Sequence, residues 1–127
     1  MRTVDVVEKI TREHPEYLKP HKSHILSLFE TAEEKELKWH LAQLISRVEL
    51  NEAEIGKIWE ILTGWAVDPK ESRIVRTNAM HALFNLLSQY PELNQDFLLT
   101  VRHIEKENIP SINARLRILK ILKRDPK

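Results

Sequence analysis

The chain has 127 residues, 42% of them hydrophobic and 31% charged, with a formal net charge of +1; this is the balance of one folded domain rather than of a disordered tail. Only 2 Gly and no Cys argue against a hairpin-rich sheet protein. They also exclude a disulfide framework, thiolate catalysis and Cys-ligated zinc or iron–sulfur sites. No apolar run approaches a membrane span, and Met1-Arg2-Thr3-Val4-Asp5 lacks the apolar stretch of a secretory signal. A cytoplasmic protein with no membrane partner is the default expectation.

Apolar spacings of three and four predict helices almost throughout, and no stretch alternates as a strand would. A leading helix is expected over residues 3–14, ended by Pro15. The next follows Pro20, whose missing N–H suits the first turn of a helix, and carries Ile25, Leu28 and Phe29 on one side. Another covers 34–48. The run Asn51-Glu52-Ala53-Glu54 resembles a capping box: the Asn51 side chain can accept from an early amide, and Glu54 sits where a return bond or the helix dipole favours it. That helix continues through Ile55, Ile58, Trp59, Leu62 and Trp65 to Asp68-Pro69. Three more are expected over 71–90, 95–106 and 111–124, the last preceded by Pro110.

The pattern recurs. Lys38, Arg76 and Arg115 are spaced by 38 and 39 residues. Each opens the same motif: Leu37-Lys38, Leu41, Leu44-Ile45; Val75-Arg76, Ala79, Ala82-Leu83; Ala114-Arg115, Ile118, Ile121-Leu122. The intervening helices register as well, with Ile58, Leu62 and Trp65 mapping onto Phe97, Val101 and Ile104, and Ile25, Phe29 and Ala32 onto the first set. His14-Pro15-Glu16 matches Tyr90-Pro91-Glu92, which sets Val6, Val7 and Ile10 against Ala82, Leu83 and Leu86. The leading helix therefore reads as a shortened second helix of a unit, either a cap or a sign of a longer array. Self-similarity at this period marks stacked helical units.

A two-helix unit of this length, with Pro between the helices and an apolar–Arg pair opening the second, resembles the HEAT repeat, an armadillo-like helical repeat. Asp68-Pro69 with Val75-Arg76, Ala79, Ala82-Leu83 and Leu86 carries the likeness, and Pro110 with Ala114-Arg115 and Ile118 repeats it. The resemblance implies an all-α, short right-handed α-solenoid spanning 1–127 as a single domain: a leading capping helix at 3–14, then repeats at 20–49, 51–90 and 94–125. Lys38 stands where the family carries Arg, and the acidic partner of its Asp–Arg ladder is not consistently present.

Catalytic chemistry finds little support. Gly56 and Gly64 make no phosphate loop, and no nucleophile elbow, zinc-protease helix or EF-hand loop occurs. The carboxylates cluster at helix starts, where the dipole favours them. His14, His21 and His24 could at most begin a metal site, since zinc takes further ligands; no cofactor or small-molecule substrate is expected, and the chain reads as no enzyme.

The faces opposite the apolar stripes are more informative. Steps of 100° per residue place Thr77, His81, Phe84 and Ser88 opposite the stripe of 71–90; Trp39, Gln43 and Ser46 match them in 34–48, and Leu116, Lys120 and Lys123 in 111–124. In arrays resembling HEAT, second helices line the concave side. The expected groove is therefore Trp39, Gln43, Thr77, His81, Phe84, Leu116, Lys120 and Lys123, with aromatic anchors and a basic rim. The alternative is that Trp39 and Phe84 fill gaps between helices. Residues 111–127 carry six basic side chains against Asp125 alone, which suits either a nucleic-acid foothold or a helix whose cations complement its own dipole.

The expected function is a non-catalytic scaffold presenting a concave helical surface to a protein partner. The alternative is a nucleic-acid binder resembling DNA-alkylation-repair scaffolds. A weaker one is an accessory subunit or lyase-like protein, by analogy with HEAT-like phycobilin lyases.

Overall fold

The computed structural model describes residues 14–118. The expected leading helix with Val6, Val7 and Ile10, and the side chains of Lys120 and Lys123, lie outside the described residues. Among those described there are six α-helices and no strand: α1 (Lys22–Thr31), α2 (Lys35–Ile45), α3 (Glu52–Val67), α4 (Arg73–Leu86), α5 (Asn94–Glu105) and α6 (Pro110–Ile118). The described part of the chain is all-helical.

Local chemistry sets the helix starts. Asn51 Oδ1 accepts the Glu54 N–H at 2.9 Å while Glu54 Oε1 accepts the Asn51 N–H at 2.9 Å, a complete capping box opening α3. Ser72 Oγ accepts the Val75 N–H at 3.2 Å and caps α4. Each bond satisfies an amide that the helix itself leaves without a partner. Pro20 behaves differently from the expectation: it lies within a 3-10 helix, Pro15–His21, and α1 begins only at Lys22. The missing N–H still falls just ahead of the α-helix, where no intrahelical partner is needed.

The sequence match between His14-Pro15 and Tyr90-Pro91 has a backbone counterpart. His14 (φ −128°, ψ 67°) and Tyr90 (φ −135°, ψ 75°) adopt nearly the same conformation, and each precedes a proline that opens a 3-10 helix. Proline disfavours the α region for the residue before it, so both junctions break the helical path in the same way.

Helices α1, α3 and α5 pack side by side in one row, and α2, α4 and α6 in a second; α3 against α4 is the closest-knit crossing between the rows. The core lies between them. Leu41 and Ala79 are both buried, as the shared motif requires; the side chain of Ile118, third in that series, lies outside the described residues. Ile25 and Phe29, Ile58, Leu62 and Trp65, and Phe97, Val101 and Ile104 are buried too, each contributing about 1.5–3 kcal/mol by leaving water. Phe29 stacks on Trp65 with centroids 5.3 Å apart. Trp59 meets Phe97 edge-on at 6.5 Å and donates its Nε1–H to Asp96 Oδ2 at 2.6 Å, joining α3 to α5.

Polar links join the helices of the second row near their ends. At the N-terminal ends, Lys38 pairs with Glu71 just before α4, and Arg76 with Glu107 just before α6. The Arg76 Nε–H also donates to the Ala66 carbonyl at 2.9 Å. Lys38 sits 5.6 Å from the centroid of the Trp65 ring, close enough for a cation–π attraction. At the opposite end the Gln89 amide holds the turn after α2, donating to Val48 O at 3.1 Å and accepting from the Leu50 N–H at 3.1 Å. The Tyr90 hydroxyl donates to Leu50 O at 2.6 Å. Helices α2 and α4 are thus tied at both ends.

Candidate functional site

A groove of about 820 Å³ is lined by α2, α4 and α6. Helix α4 supplies Arg73, Thr77, His81 and Asn85 at successive i, i+4 positions, with Ile74 and Asn78 alongside; residues four apart share a helix face. Gln43 on α2 and Arg47 in the turn that follows it repeat that spacing in sequence, as do Ser111 and Arg115 on α6. The floor is knitted by amides: Gln43 Nε2 donates to Asn78 Oδ1 at 3.4 Å, and Asn78 Nδ2 donates to the Ile74 carbonyl at 2.8 Å.

Three guanidiniums, Arg47, Arg73 and Arg115, line the groove, and among the described residues no carboxylate does. Burial, and then the nearby positive charge of Arg115, hold the His81 imidazole below its ordinary range. Both causes disfavour the charged imidazole: burial strips it of water, and a neighbouring cation repels the added proton. Guanidiniums present planar pairs of donors that suit carboxylates and phosphates, so the arrangement is fitted to hold an anionic group.

The structure brings Gln43, Thr77 and His81 together in this groove, and sends other residues of the expected set elsewhere. Leu116 is fully buried and belongs to the core, because its apolar side chain turns inward where the register with Thr77 had placed it on the polar face. Trp39 and Phe84 are only partly buried but pack against the core. Trp39 stacks on the His40 ring at 3.8 Å between centroids, and Phe84 lies 6.1 Å from the ring of Phe97. Neither lines the groove; Phe84 reaches across to α5, while the ring partner of Trp39 is its neighbour on α2.

Arg47, Arg73, Ile74 and Asn78 were not singled out by the sequence. The signal available was simple: extending the rows through Gln43 and through Thr77 and His81 by one further turn reaches Arg47 and Arg73. Arg115 matches Arg76 in the repeat yet behaves differently. Arg76 is buried and bonded on two sides, whereas Arg115 is exposed and faces the groove.

His14, His21 and His24 are all exposed, with His14 beside Glu16 at 3.3 Å. No cluster of three or more His, Cys, Asp or Glu placed to hold a metal occurs among the described residues. No helix among them is long and apolar enough to cross a membrane. Neither family models, nor curated proteins, nor solved structures yielded a match to this chain.

Proposed function

We propose that this chain is a non-catalytic binding module of the cytoplasm: a short right-handed stack of two-helix units resembling HEAT repeats, presenting the α2–α4–α6 groove to a protein partner. The observation that carries this reading is the groove itself, a polar cleft lined by three neighbouring second helices. Stacked helical units offer extended faces of this kind at little cost to their core. The stacking is supported by the equivalent links Lys38–Glu71 and Arg76–Glu107, which span 33 and 31 residues, and by the matched backbone at His14 and Tyr90.

Nucleic acid is the second reading, favoured by the three arginines of the groove and by analogy with DNA-alkylation-repair scaffolds. The test is a tagged pull-down read by mass spectrometry, run with the wild-type chain and with Arg73→Glu/Arg115→Glu. A protein captured by wild type and lost from the variant is the expected result. A salt-dependent shift of labelled duplex DNA, with no captured protein, transfers the groove to nucleic acid. Equal capture by both proteins refutes the groove as the surface.

A further inference from the structure

We infer that the occupant of this groove is an extended acidic segment of a partner protein, with Asp or Glu side chains flanking one apolar residue. The inference rests on the reading of the groove as the binding surface and names the chemistry of what it holds.

Charge complementarity is the first argument. Arg73 on α4 and Arg115 on α6 face the groove from two different helices, so positive charge is distributed along it rather than gathered at one spot. Among the described residues of the lining, an entering carboxylate meets guanidiniums, amides, hydroxyls and the His81 imidazole, and no carboxylate. Complementarity of this kind selects partners by sign and speeds encounter.

The second argument separates a peptide from a nucleic acid. Ile74 lines the same groove and is 45% exposed, an apolar foothold between cations that a phosphate backbone does not use. Among the described residues no Phe, Tyr or Trp lines the groove, so the large stacking platforms for unpaired bases are missing from that lining. The size agrees as well: a groove of about 820 Å³ is small beside the broad surface that a duplex needs.

The third argument concerns the backbone of the occupant. Beside the Gln43–Asn78–Ile74 bonds, the Gln43 side-chain carbonyl oxygen and the Asn85 amide still offer an acceptor and a donor–acceptor pair within the groove. A peptide bond presents one of each, whereas a phosphodiester presents acceptors alone. An amide-bearing lining is therefore matched to an extended peptide with its N–H and C=O groups unpaired.

The experiment pans a random-peptide display library against the wild-type chain. Enriched sequences are labelled with fluorescein and titrated against wild type, Arg73→Glu/Arg115→Glu and Ile74→Asp. All three substituted side chains are exposed, and circular dichroism with a thermal melt confirms that each variant folds. We expect enriched peptides to carry Asp or Glu around a Leu, Ile or Phe. The double charge reversal should weaken them by about tenfold or more, as loss of two charge-assisted contacts implies, and Ile74→Asp should weaken them too.

Basic or uncharged peptides that nonetheless lose affinity in the double variant overturn the acidic occupant while leaving the groove as the binding surface. Peptides indifferent to every groove variant overturn both. Enrichment of no peptide, with labelled oligodeoxythymidine bound by wild type and lost from the double variant, assigns the groove to nucleic acid. Binding of neither probe overturns both readings.

Discussion

Arg76→Ala should cost about 4 kcal/mol of folding stability, a large share of the roughly 5–15 kcal/mol that holds a domain together. The side chain is 3% exposed and bonds in two directions, through Nε to the Ala66 carbonyl at 2.9 Å and through Nη2 to Glu107. Ala66 belongs to the last turn of α3, where carbonyls have no intrahelical partner. Charge-assisted bonds contribute about 1.5–3 kcal/mol each. Glu107, with its side chain 28% exposed, recovers water and its loss falls at the low end. The Ala66 carbonyl has no such recourse, and leaving it unpaired costs about 1–3 kcal/mol. The total agrees with the roughly 3–5 kcal/mol lost when one partner of a buried pair is removed. Arg76→Met keeps most of the stem volume and should lose about 2–3 kcal/mol, while Glu107→Gln, which keeps an acceptor but not the counter-charge, should lose about 1.5 kcal/mol. Urea unfolding of the three variants, compared at constant m-value, reads these differences directly. Equal losses for Arg76→Ala and Glu107→Gln, or a loss below about 1 kcal/mol for Arg76→Ala, would refute the view that Arg76 is a structural tie between helices.

Ala79→Glu should unfold the middle of the molecule, since Ala79 is fully buried and an unpartnered carboxylate there costs several kcal/mol; a wild-type melting temperature would contradict its placement. Asn51→Ala removes one half of the capping box and should lower stability by about 1 kcal/mol, an effect that urea titration resolves and that an unchanged midpoint would disprove. Because His81 titrates below its ordinary 6.5 in the folded chain, the unfolded chain takes up that proton first as the solution is acidified. The fold therefore loses stability as pH falls through the range below about 6.5 and gains nothing further above it. Thermal melts of His81→Gln across that range should show a flatter acid limb than wild type, and an identical limb would remove His81 as the cause.

Local signals were legible to the degree that their partners are close in sequence. The Asn51–Glu54 box needs only residues three apart, and the i, i+4 apolar rows of α3 and α4 needed no knowledge of the fold. The rotation of aromatic side chains was another matter. A helical wheel divides α4 into one apolar and one polar face, but α4 packs against α2, α3, α5 and α6, so its buried arc is wider than a single stripe. Phe84 finds Phe97 on α5 within that arc. Leu116 erred in the other direction, since register with Thr77 was allowed to outweigh its own apolarity. The arginines of the groove escaped because Arg47 and Arg73 lie one turn beyond the residues considered, and because Arg115 looked interchangeable with the buried Arg76.

The links among α2, α4 and α6 make unlike demands on the amino-acid alphabet. Lys38–Glu71 and Arg76–Glu107 require a matched pair, so a change at either member is felt by a specific distant position. Gln89 and Tyr90 hold only main-chain atoms of Val48 and Leu50. Every residue except proline provides those atoms, so the grip depends on the path of the turn and is indifferent to the exposed side chain of Glu49. One end of the α2–α4 pair is thereby bound to coordinated substitution, while the other tolerates drift in the residue it encloses.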